Sequence, residues 1–102
     1  MTARVVFPKP ETFRSRPLRL AVASLPCMRC GRENNTQAAH ENYGKGKGIK
    51  ASDACLMALC VECHQYVDQV GEMDRETRRA LEVVLVKKTL VELIERGLLV
   101  VA

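Results

Sequence analysis

Cys60-Val61-Glu62-Cys63-His64 decides how the rest of the chain is read, because Cys27-Met28-Arg29-Cys30-Gly31 stands upstream as its counterpart. Two Cys-x-x-Cys knuckles about thirty residues apart supply four thiolates, the number that closes a tetrahedral zinc site in zinc ribbons and treble clefs. A redox pair needs only one such motif, whereas a Gly after the first knuckle and a helix-like run after the second fit a closed structural site. The competing reading, four buried free thiols, leaves the paired spacing without a cause. Cys27, Cys30, Cys60 and Cys63 are therefore the expected zinc ligands. His64 follows the last of them and, if a helix begins there, points away from the metal and is free for other chemistry.

The bulk composition makes such a metal useful. With 102 residues, two Phe, two Tyr and no Trp, the chain is expected to form one small domain with a thin aliphatic core. Structural zinc contributes about 10 kcal/mol or more to folding, comparable to the whole stability of such a domain. Five cysteines, four of them in knuckles, suit a reducing compartment better than a disulfide framework, so a cytoplasmic location is expected. The N-terminus lacks an apolar signal-peptide core, and no apolar run approaches the length of a membrane span. The net charge of +4 conceals an asymmetry: residues 1–50 carry ten Lys or Arg against three Glu, and residues 51–102 carry six against nine acids. A basic half of this kind suits a polyanion, of which nucleic acid is the commonest.

Taken in order, residues 1–14 contain two prolines and no period, which predicts an extended arm with at most a short strand at Val5–Phe7. Ser15 or Arg16 precedes an expected short helix with Pro17 in its first turn and Leu18, Leu20, Ala21 and Val22 as its apolar stripe, ending by Ser24 before Pro26. Thr36–His40 reads as a short strand. Glu41 to Lys50 alternates three glycines with lysines and reads as a loop, not a Walker phosphate loop, because no Gly-Lys is followed by Ser or Thr. Ala54–Leu59 is an unbroken apolar run, expected to be a buried strand feeding the second knuckle, with Cys55 a small buried hydrophobe within it. A helix from Val61 or Glu62 to Val70 follows. Asp74 is the expected N-cap of a long helix in which Leu81, Val84, Val91 and Ile94 recur at helical intervals, with Gly97 as its stop. The middle of that helix, Val83 to Val86, is apolar on every side, so the chain is expected to be either a monomer or a homodimer through it. Leu98–Val101 is a short tail that adds a strand or packs on the core.

His64 and Asp68 lie four apart, which on a helix places them about 6 Å apart on one face. Completed by waters and phosphate oxygens, they form half a site for a divalent cation of the magnesium or manganese type. His40, at the end of the first strand, is expected to fold back beside the helix that begins at Cys63, where an imidazole takes a proton from water and aims the hydroxide at a phosphodiester. The plainer alternatives are that His64 and Asp68 only pair with one another and that His40 is a spare ligand or a strand-end surface residue.

Ala39-His40, the Gly-Lys-Gly-Ile-Lys-Ala-Ser-Asp run at residues 46–53, and Leu59-Cys60-x-x-Cys63-His64-x-x-x-Asp68 resemble the phage and prophage family of small HNH-type nucleases typified by YbcO, and more distantly the phage RecA-dependent nuclease Ref. The resemblance covers roughly residues 13–97 and is densest at 25–70. It implies a His-Me finger fold, two strands and a helix around one catalytic metal, braced here by structural zinc. By that resemblance His40 takes the place of the general base and His64 that of the metal ligand on the helix. Asp68 stands one turn on, where some members carry a further histidine. Two positions depart: the residue before the base, often a metal-ligating Asp or His, is Ala39, and the residue five before Cys60, often Asn, is Cys55. Asp53 is the candidate to replace one of these groups.

The fold expected is thus α+β, a zinc-braced treble-clef or ββα-metal (HNH) core with a short N-terminal helix and a long C-terminal helix. Residues 1–102 form a single domain: an arm at 1–14, the core at 15–71, and a helix with its tail at 72–102. The function expected is a metal-dependent DNA endonuclease of phage or prophage recombination, with zinc and magnesium or manganese as metals. Lys45, Lys47 and Lys50 are the expected phosphate contacts, and DNA and a recombination protein the expected partners. The alternative is a non-catalytic zinc module that binds DNA or a recombinase.

Overall fold

Ser15 begins the first helix by accepting a hydrogen bond from the Leu18 N–H at 3.2 Å, with Pro17 in the first turn where no N–H is needed. This computed structural model describes residues 12–41, 52–68 and 73–101. In chain order its elements are α1 (Arg16–Ala23), β1 (Thr36–His40), β2 (Leu56–Cys60), α2 (Val61–Asp68) and α3 (Arg75–Glu95). Asp74 caps α3 through the Thr77 N–H at 2.7 Å. Gly97 ends it at φ 72°, where the left-handed turn lets the Leu98 N–H reach the Leu93 carbonyl at 2.9 Å. Among the described residues no helix is long and apolar enough to cross a membrane.

β1 and β2 form one antiparallel pair, with Thr36 opposite Cys60 and His40 opposite Leu56. Because side chains alternate across a strand, the hairpin feeds two small cores. Ala39, Met57 and Leu59 face α2 and meet Cys27, Cys60, Cys63 and Val67. Ala38, Leu56 and Ala58 face α1 and meet Val22 and Leu25. α3 runs along β2 and supplies both cores, Leu85 to the first and Leu93 to the second. β2 is therefore covered on both faces, and all five of its residues are buried. An unbroken apolar run is what such a strand requires.

β2 starts at Leu56 and not at Ala54, because Ser52 turns the chain just before it: its hydroxyl accepts the Ala54 N–H at 3.0 Å and its carbonyl the Cys55 N–H at 3.3 Å. The buried stripe of α3 also departs from the expected one. Glu82, Leu85, Thr89 and Leu93 are buried, whereas Val84, Val91 and Ile94 are exposed. The cause is visible at Thr89, which accepts the outward N–H of Ala58 at 3.0 Å and donates to the Leu85 carbonyl at 2.8 Å. A strand edge lacking a third strand presents donors, so the helix against it needs a polar residue where hydrophobic periodicity asks for an apolar one. Leu99 packs on the α1-side core, whereas Val100 and Val101 are exposed. Thr89→Val, similar in shape, orphans the Ala58 N–H and is expected to cost about 1–3 kcal/mol. Thermal melts should show it as a drop of at least about 4 °C, and an unchanged Tm would remove Thr89 from this role.

The expected strand at Val5–Phe7, the Gly-Lys loop with Lys45, Lys47 and Lys50, and the expected end of α2 at Val70 lie outside the described residues.

Candidate functional site

The first knuckle turns at Gly31, whose φ of 82° lets its N–H reach the Cys27 carbonyl at 2.9 Å. The second knuckle is the junction of β2 and α2 itself. The hairpin register brings the two together, and the four sulfurs of Cys27, Cys30, Cys60 and Cys63 lie within 4.8 Å of one another. Zn–S bonds of about 2.3 Å set tetrahedral S···S edges near 3.8 Å, and Cys30 Sγ and Cys60 Sγ are 3.7 Å apart. In each knuckle the first sulfur accepts N–H groups: Cys27 from Arg29 and Cys30, and Cys60 from Cys63, all at 3.4 Å. Cys55, half-buried, stands outside the group.

The electrostatics of the cluster also ask for a cation. Burial alone would push the Cys27 thiol up, but backbone N–H groups around its sulfur, those of Cys30 and Arg29 among them, bring it down to about 6. Cys63 is pushed up to about 12, by burial first and then by the three neighbouring sulfurs, against the pull of Arg29. Four thiolates this close cannot all form unless a metal neutralises them. Arg29 donates to Cys63 Sγ at 3.5 Å while its guanidinium lies 3.9 Å from the centre of the Tyr66 ring. Thr36, the register partner of Cys60, carries the one buried side-chain polar atom without a partner among the described residues. These residues fit a zinc ion, and the cluster can hold one.

His40 and His64 do not meet. Thr36, and not His40, lies beside the start of α2, so the strand end expected next to the helix is the wrong one. Antiparallel pairing sends His40 to Leu56, at the far end of the hairpin from Cys60. Alternation then turns it to the α1 face, whereas Gln37, about 10 Å back along the strand, faces α2. In place of the single His40, His64 and Asp68 cluster expected from spacing there are two side-chain pairs, His40 with Asp53 and His64 with Asp68, on opposite faces.

At the first, His40 Nε2 is 2.7 Å from Asp53 Oδ1. Asp53 is fully buried and is bound by the Ser15 N–H at 2.7 Å, by the Arg19 guanidinium and by Arg14 at 3.6 Å. Burial pushes its carboxyl up, but the Ser15 N–H, His40, Arg19 and Arg14 outweigh that and hold it at about 2. An ionised Asp53 accepts from Nε2–H, which leaves Nδ1 of a neutral His40 with its lone pair. The carboxylate contributes stability that is full above about pH 4 and is lost as the pH falls towards its folded value. At the second pair, His64 Nδ1 donates to Gln37 Oε1 at 2.8 Å, and Nε2 lies 3.0 Å from Asp68 Oδ2. Two acceptor atoms at that separation need either a proton or a cation between them, and 3.0 Å is close to the spacing of adjacent ligands around an octahedral ion with bonds of about 2.1 Å.

The cysteines, His40, His64 and Asp68 are legible as candidates in the sequence, and Asp53 as a replacement for one of two missing groups, whereas nothing there marks Gln37, Ser15 and Arg19 as partners of the histidines and of Asp53. The signal for Asp53 was the Ser-Asp pair just before β2, which the register places beside the end of β1. Comparison of the chain with protein-family models, with curated proteins and with solved structures returns no match.

Proposed function

We propose that the chain is a zinc-braced, metal-dependent DNA endonuclease of the HNH type, acting in phage or prophage recombination. The observation that carries the proposal is the His40–Asp53 pair, an accessible imidazole held in one tautomer by a buried, ionised carboxylate. That is the arrangement a general base needs, because the orienting group fixes which nitrogen accepts the proton. His40 Nδ1 takes a proton from water as its oxygen attacks phosphorus and the ester oxygen leaves. His64 and Asp68 would hold a divalent cation, which would compensate charge on the phosphorus oxygens. For that cation to serve the phosphate that the His40-activated water attacks, the strand has to bend around the outer edge of β1, because the two pairs lie on opposite faces of the hairpin. Lys45, Lys47 and Lys50 contact neighbouring phosphates, which positions a duplex without reading its sequence.

The second reading, a zinc module that binds DNA or a recombination protein without cutting, is favoured by the same opposed placement of His40 and His64. The experiment is plasmid nicking by the zinc-loaded protein with magnesium or manganese, wild type beside His40→Ala. Nicking by wild type alone supports the nuclease; nicking by neither supports the binding module. Asp68→Asn is expected to remove most of the metal-dependent cleavage while leaving zinc content and Tm nearly unchanged, since Asp68 is exposed and outside the thiol cluster. Wild-type cutting by this variant at limiting metal would reduce Asp68 to a helix-surface partner of His64.

A further inference from the structure

α3 has a second apolar face. Val83, Val84, Leu90, Val91, Ile94 and Leu98 are between 42% and 57% exposed, far above what single scattered apolar residues need explaining. They are not scattered. Val84 and Val91 stand seven apart, Val83 and Leu90 stand seven apart beside them, and Ile94 fills the next turn, with Leu98 just past the Gly97 stop. This is the 3.5-residue period of a helix that packs along another helix, and it lies on the side away from the buried Leu85, Thr89 and Leu93. A groove of about 420 Å³ runs along one side of the stripe, lined by Val84, Val91, Lys87, Lys88 and Glu92 and by Met28 of the first knuckle.

Charge selects what fills it. Lys87 sits in the middle of the stripe, seven before Ile94, and Lys88 and Glu95 flank it, also seven apart. A parallel second copy would set Lys87 against Lys87 in the seam. An antiparallel copy, with its two-fold near Val91 and Glu92, overlaps the last two turns of α3, where Val91 and Ile94 of the two copies meet; it separates those ammonium groups and sets Lys88 of each copy beside Glu95 of the other. The pairing is satisfied twice by symmetry, as an isologous contact requires. Glu92 is already paired within its own helix, to Arg96 at 2.7 Å, which leaves Glu95 as the acid for Lys88. We propose that the occupant of this face is a second copy of the chain, packed antiparallel along the last two turns of α3. The inference rests on α3 alone and stands whether or not the protein cuts DNA.

The test is sedimentation equilibrium of the zinc-loaded full chain over a range of concentrations. Wild type is expected to show a reversible monomer–dimer equilibrium. Val91→Glu, a substitution on the exposed face by a good helix former, is expected to be monomeric with unchanged zinc content and far-UV circular dichroism. Lys88→Glu and Glu95→Lys each turn two attractive pairs into repulsive ones and should each weaken the dimer about tenfold or more, a change of 1.4 kcal/mol. Mixed in equal amounts, the two variants should recover wild-type association, because each carries the charge that the other lacks. A wild type that stays monomeric throughout, a Val91→Glu variant that dimerises as wild type does, or a mixture no tighter than its components would each overturn the proposal.

Discussion

Cys63→Ser is expected to unfold the domain outright, and removal of the metal from the wild type by a strong chelator should have the same effect. Cys63 is buried in the core that holds Met57, Leu59 and Val67, and its sulfur stands with three others at the meeting point of the first knuckle, the end of β2 and the start of α2. Among the described residues, few hydrogen bonds tie the first knuckle to the hairpin and α2: the Met28 N–H to the Ala58 carbonyl at 2.8 Å, and the Arg29 and Arg32 side chains to Cys63 and Glu62. A serine oxygen is a harder and poorer zinc ligand than a thiolate, and the three remaining sulfurs then repel one another without full compensation. Structural zinc binding is worth about 10–16 kcal/mol, as large as the whole stability of an ordinary domain of about 5–15 kcal/mol, so losing most of it is not survivable. Elemental analysis of protein purified without chelator should give one zinc per chain, and far-UV circular dichroism should report loss of helix in the variant. Cys55→Ser is the control and should keep both metal and fold. A cooperative melt of Cys63→Ser within a few degrees of wild type would show that the thiols are a structural cluster and not a zinc site.

Substituting His40 by Ala is expected to lower metal-dependent cleavage about 10²–10⁴-fold, the usual contribution of a positioned general base. Zinc content and melting temperature should change little, because His40 lies at the strand end and Asp53 keeps Ser15 and Arg19 as partners. Asp53→Asn should reduce cleavage as well, by a different route. An amide can no longer serve as an anionic acceptor for His40 Nε2–H, so the tautomer that leaves Nδ1 as the acceptor is no longer enforced. The same change weakens the tie between the α1 N-terminus and the turn before β2, so this variant alone should lose stability above about pH 4, where the wild-type carboxylate is ionised in both the folded and unfolded chain. Rates and melts of the two variants measured side by side separate the base from the group that positions it. Equal cutting by wild type and His40→Ala would assign the nicking to something other than His40.

The paired knuckles and the caps were legible without coordinates, because each is local chemistry. Thiols at metal spacing, Ser15 and Asp74 as side-chain acceptors for free helix N–H groups, and Gly97 as a left-handed stop need only their immediate neighbours to be interpreted. The α+β class followed from the same signals. The phase of α3 did not, since Thr89 and Glu82 face inward while Val84, Val91 and Ile94 face out. Hydrophobic periodicity assumes that a helix covers an apolar surface, and here part of what it covers is the hydrogen-bonding edge of β2.

The same limit separates the cluster from the histidines. Residue spacing was enough to group the four thiols, since tetrahedral coordination constrains all four to one point whatever the path of the chain between them. It could not determine whether His40 and His64 share a site, because that depends on strand register and on which face each residue takes. Those are decided by the pairing of Thr36 with Cys60 and of His40 with Leu56. One residue of register turns a side chain to the other face, and it is this tertiary choice that gives His40 to Asp53 and α1, and leaves His64 with Gln37 and Asp68 across the sheet.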